Sequence, residues 1–375
     1  MQEKYYEILK DSLEIQKIYS ENIAPMFRAY EVYRRKNAFK YRIWYLVSVI
    51  IVLLACSIFP IIAFVKIQDV LIIGLLCAFV FCLFFLSLYI CSMTRKFEKN
   101  FLITLKVNCL PEILKYLGDF EWGHNKKVIA DSELNQSGLF ADFNKRTLDD
   151  EFQGSYKGVN FDICETELLY ETNWGGRRTT LSVFKGVIMS FDLGRTIKSR
   201  TIVSTKGDLI KKNSYLLYLI PFLYSLLELL KQENLQTIIN GIIVLLIAAI
   251  FYMIVFKGVL RKRKQPFERV SLEDPKFNKK FDVYSSVQLE ARYFVTPAFM
   301  ERFQNLNTVF GSKKAKCSFY GDKLMIAIST NKNLFEIGQI YKTLENPETI
   351  HSFYKEVSAI YQLIDYFKLD EKIYQ

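Results

Sequence analysis

Two stretches, IWYLVSVIIVLLACSIFPIIAFV (Ile43–Val65) and VLIIGLLCAFVFCLFFLSLYICSM (Val70–Met93), decide how the rest of the chain must be arranged. The first holds 23 residues without a charge and the second 24. A helix needs roughly 20 apolar residues to cross the ~30 Å hydrocarbon core of a bilayer, so each is long enough to span it. Only Lys66, Ile67, Gln68 and Asp69 separate them, room for a reversal and nothing more. Residues 43–93 therefore read as a transmembrane hairpin.

Basic residues orient it. Arg28 to Arg42 carries six cations against one acid, and Arg95, Lys96 and Lys99 follow the second span. A second apolar pair, Tyr215–Leu227 with Pro221 inside it and the uncharged Ile238–Phe256, reads as another hairpin whose connecting turn holds Glu228, Lys231 and Glu233. Lys206, Lys211 and Lys212 precede this pair, and Lys257 and Arg261–Lys264 follow it. In all, seventeen flanking cations fall on one side and two, Lys66 and Lys231, on the other. Cytoplasmic loops hold the excess of Lys and Arg, so both termini are expected in the cytoplasm with four spans between them. Pro221 and the shorter uncharged run leave a re-entrant second hairpin open.

The same cations account for much of the net charge of +11, which in a soluble chain would suggest nucleic acid. Beside apolar spans it sets topology and meets anionic lipid heads, and no nucleic-acid partner is expected. Seven cysteines form no CxxC pair and no Cys/His cluster. Neither a disulfide framework nor a metal site is implied, no cofactor is expected, and unpaired thiols suit a reducing compartment. The first 42 residues are polar and carry six acidic groups, unlike a cleaved signal peptide, so the first span reads as an anchor.

The polar remainder reads as α+β. Residues 1–42 suggest a cytoplasmic amphipathic segment interrupted at Pro25, and a helix continues from the second span through Lys115 with Pro111 bending it. Ser132 stands as the cap of a short helix. Val159, Phe161 and Ile163 alternate with polar neighbours as a strand; Asn173–Gly176 is a turn; Thr179–Phe191 is the antiparallel partner and Thr201–Ser204 a third strand. Further on, Phe281–Ser285 reads as a strand, and Thr296–Pro297 as the N-cap and first position of a helix. Cys317–Tyr320 and Leu324–Ile328 read as a hairpin about Gly321–Asp322. Asn346–Pro347 starts a last helix, with Ile350, Phe353, Tyr354, Val357, Ile360, Tyr361, Ile364 and Phe367 along one face that needs a partner, most simply the sheet. The expected organisation is an amino-terminal segment (1–42), a first hairpin (43–93), an inserted second hairpin (213–256), and one cytoplasmic mixed antiparallel sheet-and-helix domain in two parts (94–212 and 257–375).

No constellation names a reaction, and catalytic residues stay unassigned. His124 and His351 are the only histidines. Gly175–Arg178 places two guanidiniums, Arg177 and Arg178, at a turn, able to hold a phosphate or simply to be a solvated tip. Glu290 and Arg292, two apart on an expected strand, share a face and would make an ion pair beside Tyr293 or hold a polar ligand. Glu165 and Glu167 have the same spacing; they form a carboxylate pair or a solvent-facing strand side. The spans hold almost no ionisable group, which disfavours transport.

Three runs, DEFQGSYKGVNFDICETEL (Asp150–Leu168), VFKG (Val183–Gly186) and LEDPKFNKKFDVYSSVQLEARYFVTPAFMERF (Leu272–Phe303), together with NLFE (Asn333–Glu336), resemble the bacterial domain-of-unknown-function family 3137 from about Arg95 onward. In that family VFKG commonly runs into the LEDPKF region with no membrane segment. The resemblance thus implies a bacterial cell (inner) membrane protein whose second hairpin is inserted into one soluble domain, and it supplies no activity. The expected role is a membrane-tethered binding or regulatory module that meets anionic lipid head groups or a cytoplasmic or membrane protein. The alternative is an enzyme acting on a lipid or membrane-derived substrate, which requires Glu165, Glu167, Glu290 and Arg292 to converge.

Overall fold

The computed structural model describes residues 16–65, 70–124, 126–174, 177–208, 267–312 and 314–367. The first 15 residues of the expected N-terminal segment, the Lys66–Asp69 reversal, the Gly175–Gly176 turn and the whole second apolar pair lie outside them. The chain divides into two compact units: Met1–Lys126 with Asp150–Gly158 and Lys332–Ile364, and Lys127–Asp149 with Val159–Asn331 and Asp365–Gln375.

The first unit is built on two long helices, α1 (Ala24–Val65) and α2 (Val70–Leu114). Both are long and apolar enough to cross a membrane, and only 11% of each apolar window is buried, unlike the core helix of a soluble protein. Pro25 does not interrupt the chain. It sits where a π-helical turn at Tyr19–Ile23 passes into α1, inside a helix that runs on from Gln16, and the wider turn is where the missing N–H is accommodated. The helices run antiparallel: Tyr33 stacks on Phe101 with ring centroids 5.9 Å apart, and the hydroxyls of Ser48 and Ser87 meet at 2.9 Å. Phe27, Arg34, Ser48 and Ala55 are buried at multiples of seven residues, the seam of two helices packed side by side. Trp44, Leu53, Phe81 and Tyr89 on the other faces are more than half exposed, an outward apolar surface suited to lipid.

Beyond the apolar stretches the same helices enter a polar-capped core. Pro111 lies inside the last turns of α2. Strand β1 (Asp119–Gly123) pairs antiparallel with the end of β2 (Lys145–Tyr156), from Asp119 opposite Ser155 to Gly123 opposite Glu151. The final helix, named α7 below (Pro347–Phe367), starts where Asn346 accepts the Glu348 N–H. Its face buries every expected residue from Ile350 to Ile364. Tyr361 donates to the Leu117 carbonyl at 2.7 Å and packs against Phe120 and Tyr156, so within this unit the face meets the β1–β2 pair.

The second unit is a twisted antiparallel sheet organised around one strand. β3 (Val159–Trp174) and β4 (Arg177–Thr205) pair from Trp174–Arg177 to Phe161–Phe191. The expected second and third strands are thus one continuous strand of 29 residues. Its far end pairs with β6 (Phe281–Ser285), which carries β5 (Glu268–Val270) at its edge. β7 (Lys314–Ser329) lines the opposite side of β4, from Gly186–Ser329 to Ser204–Lys316. The hairpin expected about Gly321 is therefore absent. β7 passes straight through, and Gly321 (φ 58°) faces the irregular stretch of β4 around Gly194 (φ 67°), where extra residues in one strand are absorbed as a bulge.

Gly186 of VFKG explains itself here. It adopts φ +146°, and a Cβ would run into the Ile328 carbonyl oxygen and come within 2.8 Å of the Thr330 nitrogen. Short helices cover the sheet: α3 (Asp131–Ser137), α4 (Pro275–Lys280), α5 (Gln288–Phe294) and α6 (Pro297–Val309). Ser132 is not a cap, because α3 begins after Ala130 and Ser132 lies inside it. Thr296 does cap α6, accepting the Phe299 N–H, with Pro297 at the first position. Among the described residues the chain is thus α+β, with seven α-helices and an antiparallel sheet.

Candidate functional site

A cavity of about 660 Å³ in the second unit lies between the loop after α3 and the sheet. Alternation along the strands puts Ile202 of β4, Tyr284 of β6 and Lys316 of β7 on its floor. The roof is the segment Gly138–Phe143, which leaves α3 by a left-handed residue, Gly138 (φ 71°), with the Arg200 guanidinium and Ile202 only 3.2 Å from where a Cβ would stand. Arg146 fixes the approach to α3: its guanidinium donates to the Ile129 carbonyl at 2.7 Å and to the Asp131 carboxylate at 3.2 Å, with Thr166 and Cys164 of β3 on its other nitrogens.

The walls combine ring faces with charge. The Lys316 ammonium is 4.8 Å from the Phe140 ring centroid and 5.4 Å from that of Phe184, and its side chain is only 8% exposed. Asp208 lies 3.7 Å from it and 3.3 Å from the Lys314 ammonium. Arg200 sits over Phe267, 5.8 Å from the ring. A ligand here would meet aromatic surface, a buried ammonium and two carboxylates, Asp142 and Asp208, the second already shared by two lysines. Such a set suits a small ligand with both apolar and charged parts. None of the cavity's charged groups sits beside a nucleophile and base pair of the kind that acyl transfer requires.

The first unit holds a different constellation, a buried charge cluster. Lys106 of α2 donates to Asp150 of β2 at 2.6 Å and to Glu336 at 2.9 Å. Trp122 of β1 donates its indole N–H to the other Asp150 oxygen at 3.0 Å, and Asn333 donates to Glu336 at 2.6 Å. Burial draws the lysine's pKa down, but the two carboxylates more than reverse this and hold it above the ordinary lysine range. Nearby, burial pushes the Glu356 carboxyl up, although the Phe335 N–H bonds it at 2.6 Å. On α1, Glu31 accepts from Arg34, Arg35 and the Leu344 N–H, while Arg34 also donates to the Ile340 carbonyl at 2.8 Å. The guanidinium of Arg34, outweighing burial, lowers the Glu31 pKa to about 2. These groups hold one another across the unit's elements and act as clamps.

The residues singled out by sequence are scattered. Arg177 opens β4 opposite Trp174, and Arg178 stands exposed opposite Asn173. Glu290 and Arg292 are on the helix α5 and not on a strand, so a spacing of two turns them apart. Glu290 accepts from Ser199, whereas Arg292 reaches Glu273 and the Ser271 carbonyl, both at 3.4 Å, and no ion pair joins the two. Glu165 is buried rather than solvent-facing, and Glu167 accepts from Ser182 at 3.0 Å. Ser182 and Ser199 are far apart along β4, so Glu167 and Glu290 do not share a pocket. His124 stacks beside Trp122 and His351 lies exposed in the first turn of α7. Among the described residues no group of three or more His, Cys, Asp or Glu could hold a metal ion.

Sequence reading missed Lys316 and Lys106. The available signal was a lysine inside an otherwise apolar run, AKCSFY for one and LKVNCL for the other. A family model described as protein of unknown function (DUF3137) matches residues 182–369, taking in VFKG, the LEDPKF region and NLFE and beginning after the Asp150–Leu168 run. No curated protein and no solved structure matches the chain.

Proposed function

We propose that this chain, which belongs to the DUF3137 family, is a bacterial cell-membrane protein of four spans in two hairpins, with cytoplasmic termini. Its role is that of a membrane-tethered binding module whose ligand is a lipid head group held in the 660 Å³ cavity of the second unit. One observation carries this reading. Asp208 and Phe267, the described residues on either side of 209–266, line the same cavity. The intervening segment therefore leaves and re-enters the unit at one place, which an even number of crossings satisfies and an odd number does not. If that segment is in the bilayer, the cavity mouth is at the membrane surface, where a phosphate would meet Lys316 and Lys314 and the glycerol would meet the phenylalanine rings. Its volume suits a small ligand better than a protein surface.

The test is a photo-crosslinker in place of Phe143, activated in intact membranes and read by mass spectrometry. A defined lipid adduct that disappears with Lys316→Met is expected. An adduct pattern no different from that of the same probe at exposed Tyr170 would overturn the assignment.

A further inference from the structure

A second feature lies in the first unit, on the hairpin itself. Between α1 and α2, where the apolar stretches begin, the helices part to leave a groove of about 290 Å³. Trp44 and Tyr41 form one wall, Tyr89, Ile90 and Met93 the other, and Lys40 stands at the rim. We propose that this groove binds one acidic phospholipid of the cytoplasmic leaflet, with its phosphate on Lys40 and the upper part of an acyl chain between Trp44 and Met93. The proposal rests on α1 and α2 crossing the bilayer.

Three observations support that occupant. First, depth: Lys40 and Trp44 are one helical turn apart, ~6 Å along the axis. This matches the step from phosphate to the ester level, where tryptophan and tyrosine rings prefer to lie. Second, charge: Lys40 is the cation that lines the groove, and exposed Lys36 and Lys96 lie about one helical turn beyond Lys40 on α1 and Met93 on α2. A carboxylate, Glu98, acts on Tyr41 of the groove, does not line it, and lines a separate cavity. Third, the Thr94 hydroxyl is spent, since it donates to the Cys91 carbonyl at 2.8 Å, which leaves the Tyr41 and Tyr89 hydroxyls as the groove's other polar groups. The formal charge of the head is read by the lysine, which selects for a negative group. A lipid merely covering the outer faces of the helices would have no such preference.

The experiment uses the full chain in lipid nanodiscs with Trp122 and Trp174 replaced by Phe, leaving Trp44 as the sole tryptophan. Quenching by brominated phosphatidylglycerol and brominated phosphatidylcholine is compared. The acidic lipid is expected to quench at about fivefold lower mole fraction, and Lys40→Gln to erase most of that difference, given roughly a fivefold effect for each ammonium near the surface. Equal quenching by the two lipids overturns the site while leaving the span reading intact. Quenching by neither removes both. A second measurement needs no tryptophan replacement. Native mass spectrometry of the chain released from mixed discs should show one retained phosphatidylglycerol, lost in Lys40→Gln and kept in Lys355→Gln. Retention of both lipids in proportion to their supply overturns the proposal.

Discussion

Replacing Lys106 with Met should destabilise the first unit strongly, and by an amount its surroundings set. The lysine side chain is 7% exposed, Asp150 is 1% exposed, and their nitrogen–oxygen distance is 2.6 Å. Removing the ammonium takes the cation from the buried Asp150 carboxylate, which keeps the Trp122 N–H at 3.0 Å, and from Glu336, which keeps Asn333. Breaking a buried pair from one side costs roughly 3–5 kcal/mol. The retained indole bond places this case near the lower figure, about 3 kcal/mol, or a fall in Tm of roughly 6–12 °C for a unit of this size. Thermal unfolding in detergent, followed by tryptophan fluorescence, reads it. The sign of the pH dependence separates this from lost packing. In the native chain the Lys106 pKa is raised, so its contribution is present at every pH below the ordinary lysine value and is flat from pH 5 to 9. In Lys106→Met the Asp150 carboxyl, having lost that cation, is raised instead, so the deficit is full at neutral pH and narrows as pH falls toward the ordinary carboxylate value. Adding Asp150→Asn should restore most of the loss. Strictly additive single effects, or a deficit unchanged between pH 7 and 5, would refute the reasoning.

Two other perturbations follow from the same geometry. Glu31, with a pKa lowered from 4.5 to about 2, contributes stability that is complete above pH 4.5 and lost as pH falls to about 2. Glu31→Gln should remove that acid limb and cost at most about 3 kcal/mol at pH 7, measurable as a flattened Tm-against-pH curve. Gly186→Ala should cost roughly 2–4 kcal/mol, because the new Cβ meets backbone at Ile328 and Thr330 and the residue must hold φ +146°. Gly158→Ala, at φ +80° but with open space around its Cβ position, should cost less, and Tm values compared side by side check the order.

The local chemistry of the helix ends was open to sequence reading because caps act within one turn: Thr296 and Asn346 do what their neighbours suggested. The apolar stretches were equally plain, since length against bilayer thickness needs no tertiary knowledge. What failed were the inferences that a partner elsewhere decides. Gly321–Asp322 is a hairpin signal only if the flanking strands pair with each other. Here each pairs with β4, whose own bulge at Gly194 takes up the extra residues. Glu290 and Arg292 belong to a seven-residue segment too short to show its period, and the helix won. Lys106 and Lys316 were unreadable as site residues because their partners lie 44 and 230 residues away in one case and across the second apolar pair in the other. A lone lysine among apolar neighbours announces that a partner exists without saying where.

The two charge clamps of the first unit have a joint consequence. Were α1 and α2 to cross a bilayer, apolar side chains there would gain nothing by facing each other rather than acyl chains, and the seam would rest on packing and the Ser48–Ser87 bond. Away from the apolar stretches their orientation is set through one segment without regular structure, residues 332–346. That segment is tied to α2 by Glu336 on Lys106, and to α1 by the Ile340 carbonyl on Arg34 and the Leu344 N–H on Glu31. Between these ties Gly338 is packed so closely that a Cβ would stand 2.5 Å from Leu344 and 2.7 Å from Leu105. The segment has no slack, and each tie is a buried bond to a charged group. Rotation of one long helix against the other therefore cannot proceed without breaking a bond at one end of this segment.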